Sequence, residues 1–262
     1  MRKLIIILGF LYVLCSIALY SIQERVIFAA HPYDNSVKYK TGIEHEIPLT
    51  EGLDMNAVLL TDTPGKKGDK VILYFHGNKG NNRRGIYQSR VMRDKGCDVF
   101  IVDYRGYGKT EGKPINDAQM LSDADKAYKY VSTMYEEENI YLLGYSLGSG
   151  MASYVASQNS PAHLFLVAPF LSLTAIKDQW LWMFPNFLLK YRLDNRKHLQ
   201  NVKCGVTIVH GTDDNVIPYN HSKSLKSNYP NVELITLENQ NHRGVIFDSQ
   251  LRRAINRVVQ SH

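Results

Sequence analysis

The chain has 262 residues, 44% of them apolar, which suits one α/β domain with a large core, or at most one domain with a small insertion. Its net charge of +6 comes from scattered Lys and Arg with no basic run interleaved with aromatics, so a solvated surface, and not a nucleic-acid groove, is the expected reading. Three cysteines are too few and too odd a number for a disulfide framework, and Cys15, Cys97 and Cys204 read as small core hydrophobes.

Met1-Arg2-Lys3 precedes Leu4 to Ile22, an uncharged run of nineteen residues that is long enough to span a bilayer as a helix. An uncleaved anchor is favoured over a signal peptide, because the run outlasts a usual signal core and Ser16-Ile17-Ala18 is a mediocre cleavage site. Positive charge ahead of the span predicts a cytoplasmic N-terminus and a domain on the far side; cleavage would give a secreted or periplasmic protein. The expected division is residues 1–22 as anchor and 23–262 as domain, and the segment 23–42, with Pro32, Asp34, Asn35 and Gly42, reads as irregular but ordered.

From there strand and helix signals alternate. Ile43–Leu49 and Met55–Thr61 read as a hairpin around Glu51-Gly52, and Lys70–Phe75 and Asp98–Val102 as strands buried on both faces. Helical spacing marks 82–95 and 116–135, where Ala124, Ala127, Tyr128 and Val131 recur. Asn139 to Tyr145 is another apolar strand, followed by a helix, then by His163–Ala168, a break at 171–200, Gly205–His210, Val232–Leu237 and a last helix from Val245 to about Val259. Alternation of this kind predicts a mostly parallel sheet covered on both sides.

Gly144-Tyr145-Ser146-Leu147-Gly148 lies where the strand after Asn139 meets its helix. A Gly-x-Ser-x-Gly in that position is the pattern of a sharp turn that holds a serine hydroxyl clear of the backbone. Such a hydroxyl needs a base to take its proton and an acid to orient the base, and in parallel sheets these come from loops at the carboxyl ends of later strands. Asn239-Gln240-Asn241-His242 supplies His242 as base. His210-Gly211-Thr212-Asp213-Asp214 supplies the acid, Asp214 in preference to Asp213, which reads as a loop cap; Asp178 ranks third. An oxyanion needs two donors, expected from the amides of Leu147 and Asn78, with His76 bracing the Asn78 loop.

Gly108-Lys109-Thr110 lacks the upstream glycine of a phosphate-binding loop, since Asp103 stands there, and no helix opens at once. The loop is instead expected to wall the site, with Asp103 and Arg105 tying it down. The nine histidines show no metal-binding pairs. No nucleotide, nucleic acid, metal or cofactor is expected.

Tyr74-Phe75-His76-Gly77-Asn78, Asp103-Tyr104-Arg105-Gly106-Tyr107-Gly108, the serine turn, and His210 to Asp214 with His242 together resemble the α/β-hydrolase superfamily. Within it, the chain is similar to single-pass membrane serine hydrolases related to depalmitoylating thioesterases and serine aminopeptidase-like members. The resemblance covers about residues 20–260. It implies an α/β-hydrolase fold: a mostly parallel eight-stranded sheet with flanking helices, a small helical lid at about 171–200 and an N-terminal transmembrane helix. It also implies hydrolysis of a carboxylic ester or thioester through an acyl-enzyme, with peptide or amide hydrolysis, or a non-catalytic membrane-tethered binding protein, as alternatives. The animal depalmitoylases of this group carry an N-terminal cysteine cluster that this chain replaces with a hydrophobic helix. A monomer acting on a small-molecule or lipid-like ester is expected. Both tryptophans fall in the lid, so Trp180, Trp182 and Phe184, with Tyr145, are candidate substrate contacts. The same aromatics read equally as one amphipathic helix packed on the sheet, or as a membrane-facing surface.

Overall fold

The computed structural model describes every residue except 31, 33–35, 37, 64, 94, 95 and 262. Asp34 and Asn35 of the irregular segment, and the end of the 82–95 helical stretch, lie outside the described residues.

Eight strands form one sheet: β1 (Ile43–Thr50), β2 (Leu53–Leu60), β3 (Lys70–Phe75), β4 (Cys97–Val102), β5 (Ile140–Tyr145), β6 (His163–Val167), β7 (Gly205–Gly211) and β8 (Glu233–Leu237). Their spatial order is β1-β2-β4-β3-β5-β6-β7-β8. The β1–β2 and β2–β4 pairings are antiparallel, and every pairing from β4 to β8 is parallel. The central strands are apolar on both sides because both faces are covered. Val71, Leu73, Phe75, Leu142 and Leu164 face one core cluster, while Ile72, Tyr74, Tyr141, Leu143 and Phe165 face the other.

The first cluster is closed by α3 (Asp117–Val131) and α4 (Gly148–Gln158), the second by α2 (Asn82–Gln88) and α8 (Ser249–Ser261). In α3 the buried Met120, Ala124, Ala127, Tyr128 and Val131 repeat at helical spacing, and Asn116 caps the start by accepting from the Gln119 amide. In α8 the stripe is Leu251, Ala254, Ile255 and Val259.

Four details depart from the sequence reading. Of the three cysteines only Cys97 is buried; Cys204 is half-buried and Cys15, on the N-terminal helix, is exposed. The final helix does not run unbroken from Val245: a short 3-10 turn, Val245–Phe247, precedes an extended Asp248, whose side chain accepts from the Gln250 amide and starts α8. A helix absent from the reading, α7 (Asn220–Asn228), joins β7 to β8. It buries His221 and Ser222 beside Leu225, so its inner face is too polar to show apolar periodicity. Finally, the N-terminal helix α1 spans Arg2–Ile27 and continues past the expected boundary at Ile22. It contains an exposed window of mean hydropathy 2.5, long and apolar enough to cross a membrane.

The lid consists of α5 (Leu173–Leu181), a 3-10 turn at Asn186–Leu188 and α6 (Asn195–Leu199). Ser172 caps α5 by accepting from the Ala175 amide.

Candidate active site

β5 ends at Tyr145, and the chain reverses into α4 within two residues. Ser146 holds φ at 52°, in the left-handed region that costs a non-glycine residue of order 1–3 kcal/mol. The turn is held by the Ser146 amide donating to Val167 O at 2.9 Å, and by the Ser149 hydroxyl donating to Ser146 O at 2.7 Å. So tight a reversal brings α4 against β3: a Cβ on Gly148 would stand 2.0 Å from Phe75 O, and one on Gly144 2.6 Å from Gly148 O. Both glycines are required by close approach of backbone to backbone.

The loop after β8 brings His242 Nε2 to 3.0 Å from Ser146 Oγ, and the loop after β7 brings Asp214 Oδ2 to 2.6 Å from His242 Nδ1. A carboxylate only accepts, so the His242 proton sits on Nδ1 and leaves Nε2 free to accept from the serine hydroxyl. The two oxygens of Asp214 divide their work. Oδ1 accepts from the amides of Val216 and Ile217 at 2.9 and 2.8 Å, while Oδ2 also accepts from His210 Nε2 at 3.1 Å. Burial alone would raise the Asp214 pKa, but hydrogen bonds from His210 and His242 and the neighbouring His242 charge hold it well below the usual carboxylate range.

Loop capping therefore belongs to Asp214 and not to Asp213, which is exposed and takes only the Thr212 hydroxyl, at 3.4 Å. Asp213 points to solvent because its neighbour fills the turn. Asp178 sits on α5 and pairs with Lys177.

His210 went unremarked in the sequence beyond its place in the motif. Its Nε2 faces both Asp214 Oδ2 and Ile217 O, which only accept, so Nε2 carries the proton and Nδ1 accepts from the Ser222 hydroxyl at 2.6 Å. A histidine closing an apolar run and followed by glycine was the available signal.

Tyr145, a candidate substrate contact, lines the cavity at Ser146 and also stacks on His242 at 5.4 Å, its hydroxyl donating to His242 O at 2.9 Å. Burial pushes the Tyr145 pKa up to about 12, so the hydroxyl stays a donor.

The Asn78 loop is braced from below. Tyr107 donates to Asn78 O at 3.0 Å, Tyr104 donates to His76 O at 2.8 Å, and the His76 Nδ1–H donates to Gly77 O at 2.8 Å. His76 is thus packed among tyrosines and bonded to the loop. Asp103 accepts from the Asn82 and Lys109 amides, and Arg105 pairs with Asp123 at 2.6 Å. Among the described residues the amides of Asn78 and Leu147 donate to no protein acceptor.

A narrow cavity of about 50 Å³ joins Ser146, His242, Asn78 and Tyr145 to three exposed cations, Lys79, Arg84 and Arg243. None of these three side chains has an ion-pair partner among the described residues. Trp180, Trp182 and Phe184 do not line this cavity; Trp180 and Phe184 face α1 instead.

A family profile described as serine aminopeptidase, S33 (Hydrolase_4), matches residues 66–202, just over half of the chain, and includes Asn78 and Ser146. The chain is 30% identical over 181 residues to the lysophosphatidylserine lipase ABHD12 of Danio rerio, covering 59% of this chain and 46% of that protein. It is 27% identical over 218 residues to the Xenopus tropicalis lipase of the same name, covering 70% of this chain and 53% of that one. The chain spans about half the length of the curated relatives it matches. Its fold is similar to that of the Pyrococcus furiosus esterase Pf2001 (TM-score 0.67, 16% identity, 88% of this chain and 97% of the other). Est1E from Butyrivibrio proteoclasticus is similar too (TM-score 0.63, 17% identity, 84% and 97%).

Proposed function

Because the chain belongs to the serine aminopeptidase (S33) family of α/β hydrolases, we propose that it is a membrane-associated serine hydrolase acting on lipid-like carboxylic esters or thioesters that carry an anionic group. The observation that carries this reading is the continuous chain Ser146 Oγ, His242 Nε2, His242 Nδ1, Asp214 Oδ2, with contacts of 3.0 and 2.6 Å.

Ser146 Oγ attacks the acyl carbon as its proton passes to His242 Nε2. Asp214, kept ionised by its bonds, stabilises the imidazolium and fixes its tautomer. The carbonyl oxygen becomes an oxyanion between the free amides of Asn78 and Leu147. Collapse of that intermediate breaks the bond to the leaving oxygen or sulfur, which takes the proton from His242, and an acyl-Ser146 remains. Water then attacks, giving its proton to His242, and the acid departs as Ser146 Oγ is reprotonated. The acid, the base and the donors on this path are all side chains and amides of the chain itself.

The anionic preference rests on Lys79, Arg84 and Arg243 around the cavity. Opposite charge held at the mouth of a partly desolvated site both steers a substrate and fixes it. The relatives named as lysophosphatidylserine lipases support the same class. Amide hydrolysis on the same groups is the second reading, favoured by the description of the matching family. The N-terminal helix is proposed as an anchor with its N-terminus in the cytoplasm and the domain 23–262 on the far side.

Initial rates on monoacyl esters of one chain length, with either a neutral glycerol or an anionic phosphate-bearing headgroup, beside aminoacyl anilides, test the proposal. The anionic ester is expected to have the higher kcat/KM by about tenfold, the size of one charge-assisted contact. Arg243→Glu should erase that preference while leaving the neutral ester within a few-fold. A higher rate on the anilides would hand the site to the second reading, and equal rates on the two esters would remove the anionic preference.

A further inference from the structure

The uncharged apolar run of α1 ends at Ile22, and charge gathers just beyond it: Glu24, Arg25 and, on the lid, Lys190, which pairs with Glu24 at 3.0 Å. Gln23 is buried at this level and fastens the helix to the lid. Its amide donates to Leu188 O at 3.1 Å and accepts from the Lys190 amide at 2.8 Å. A second attachment lies much farther back. The Tyr12 ring stacks on Phe184 at 5.4 Å and 3°, and the Tyr12 hydroxyl donates to Met183 O at 2.9 Å.

Residues 12 and 23 are separated by eleven steps of a continuous helix, a rise of about 16 Å. The hydrocarbon core of a bilayer is about 30 Å thick. A lid that touches α1 at both places cannot stay in water if α1 spans from Leu4 to Ile22. We propose that the lid tip, residues 180–187, is immersed in the outer half of the same bilayer, and that lipid chains cover its apolar face. This rests on the membrane-associated part of the reading above and is independent of its chemistry.

The composition of the tip fits that medium. From Gln179 to Leu189 no residue is charged. Trp180 and Trp182 are each 75% exposed and Phe187 72%, large apolar side chains left mostly uncovered by the described residues. Backbone polar groups in lipid need partners from the protein itself, and three carbonyls at or beside the tip find them on α1 and α5. Met183 O takes the Tyr12 hydroxyl, Phe184 O takes Lys177 Nζ at 2.6 Å, and Leu188 O takes Gln23. Between α1 and α5 lies a cavity of about 340 Å³, walled mainly by apolar side chains such as Leu19, Ile22, Ile176, Trp180 and Leu188, with Lys177 at its wall held by Phe184 O and Asp178; the same lipid chains would fill it.

The two tryptophans of the chain are both in the tip, so fluorescence excited at the red edge, where the 17 tyrosines do not absorb, reads this segment alone. The full chain would be reconstituted in phosphatidylcholine vesicles, with or without bromine atoms on the acyl chains. Brominated chains quench indoles that lie among them, so emission is expected to fall at least about twofold and to resist aqueous iodide. Ser146→Ala should be quenched equally, and fluorophosphonate labelling of the wild type in the same vesicles reports the chemistry separately. Water-like emission that iodide quenches and bromine does not would overturn the proposal. So would shielding from both quenchers in a chain that runs as a dimer, which would assign the surface to a second copy.

Discussion

The carboxylate of Asp214 accepts from two histidines and two backbone amides, and this decides how it responds to change. Asp214→Asn offers an amide where His242 Nδ1 needs an acceptor. That forces the proton to Nε2, where it faces Ser146 and blocks proton transfer, so kcat should fall about 10³–10⁴-fold with a nearly intact fold by circular dichroism. A loss under tenfold would remove Asp214 from the path. The pH dependence has a fixed sign. A folded pKa held below the unfolded value of about 4 gives stability that is complete above that value and lost as pH falls through the folded one. Denaturant titrations should therefore show Asp214→Asn converging on the wild type only well below about pH 4, with the gap constant through neutrality. Asp214 is preferred to Asp213 because His210 to Pro218 resembles the acid loop of related hydrolases; the division of labour between the two was not legible. Which carboxylate turns inward depends on the amides of Val216 and Ile217, a feature of loop conformation and not of residue type.

At the scale of elements, α1 and the lid behave as one unit. Gln23 satisfies Leu188 O and the Lys190 amide at once, and Gln23→Leu would leave both without a partner at about 1–3 kcal/mol each. Hydrogen exchange at the Lys190 amide is expected to speed up by about tenfold or more in that variant, with the amides of β5 unchanged. Equal exchange in the two proteins would mean that the clamp carries no weight. The apolar N-terminal helix and the sheet strands were legible from apolar runs and their lengths. The clamp was not, since a lone glutamine at the end of an apolar helix carries no pattern. α7 was invisible for a related reason: it buries a histidine and a serine where an apolar stripe would have announced it. Trp180, Trp182 and Phe184 read as candidate substrate contacts because both tryptophans fall in the expected lid. None of the three lines the cavity at Ser146, and Trp180 and Phe184 face α1.

The whole molecule is built on a mostly parallel sheet that gathers three loops from β5, β7 and β8 at its carboxyl edge, with a fourth from β3 beside them. Family and fold were readable because four motifs fell at the ends of alternating strands, a coincidence that isolated motifs do not show. The substrate class was not readable, since the cations lining the cavity come from two distant segments, Lys79 and Arg84 after β3 and Arg243 after β8. The central claim is that Ser146 is a nucleophile made reactive by His242. Intact mass of the full chain after incubation with a fluorophosphonate, followed by peptide mapping, tests it most directly. One adduct per chain is expected, on Ser146, absent from Ser146→Ala and formed at least about a hundredfold more slowly in His242→Ala. A folded wild type that takes no adduct, or an adduct that persists in Ser146→Ala, would contradict it.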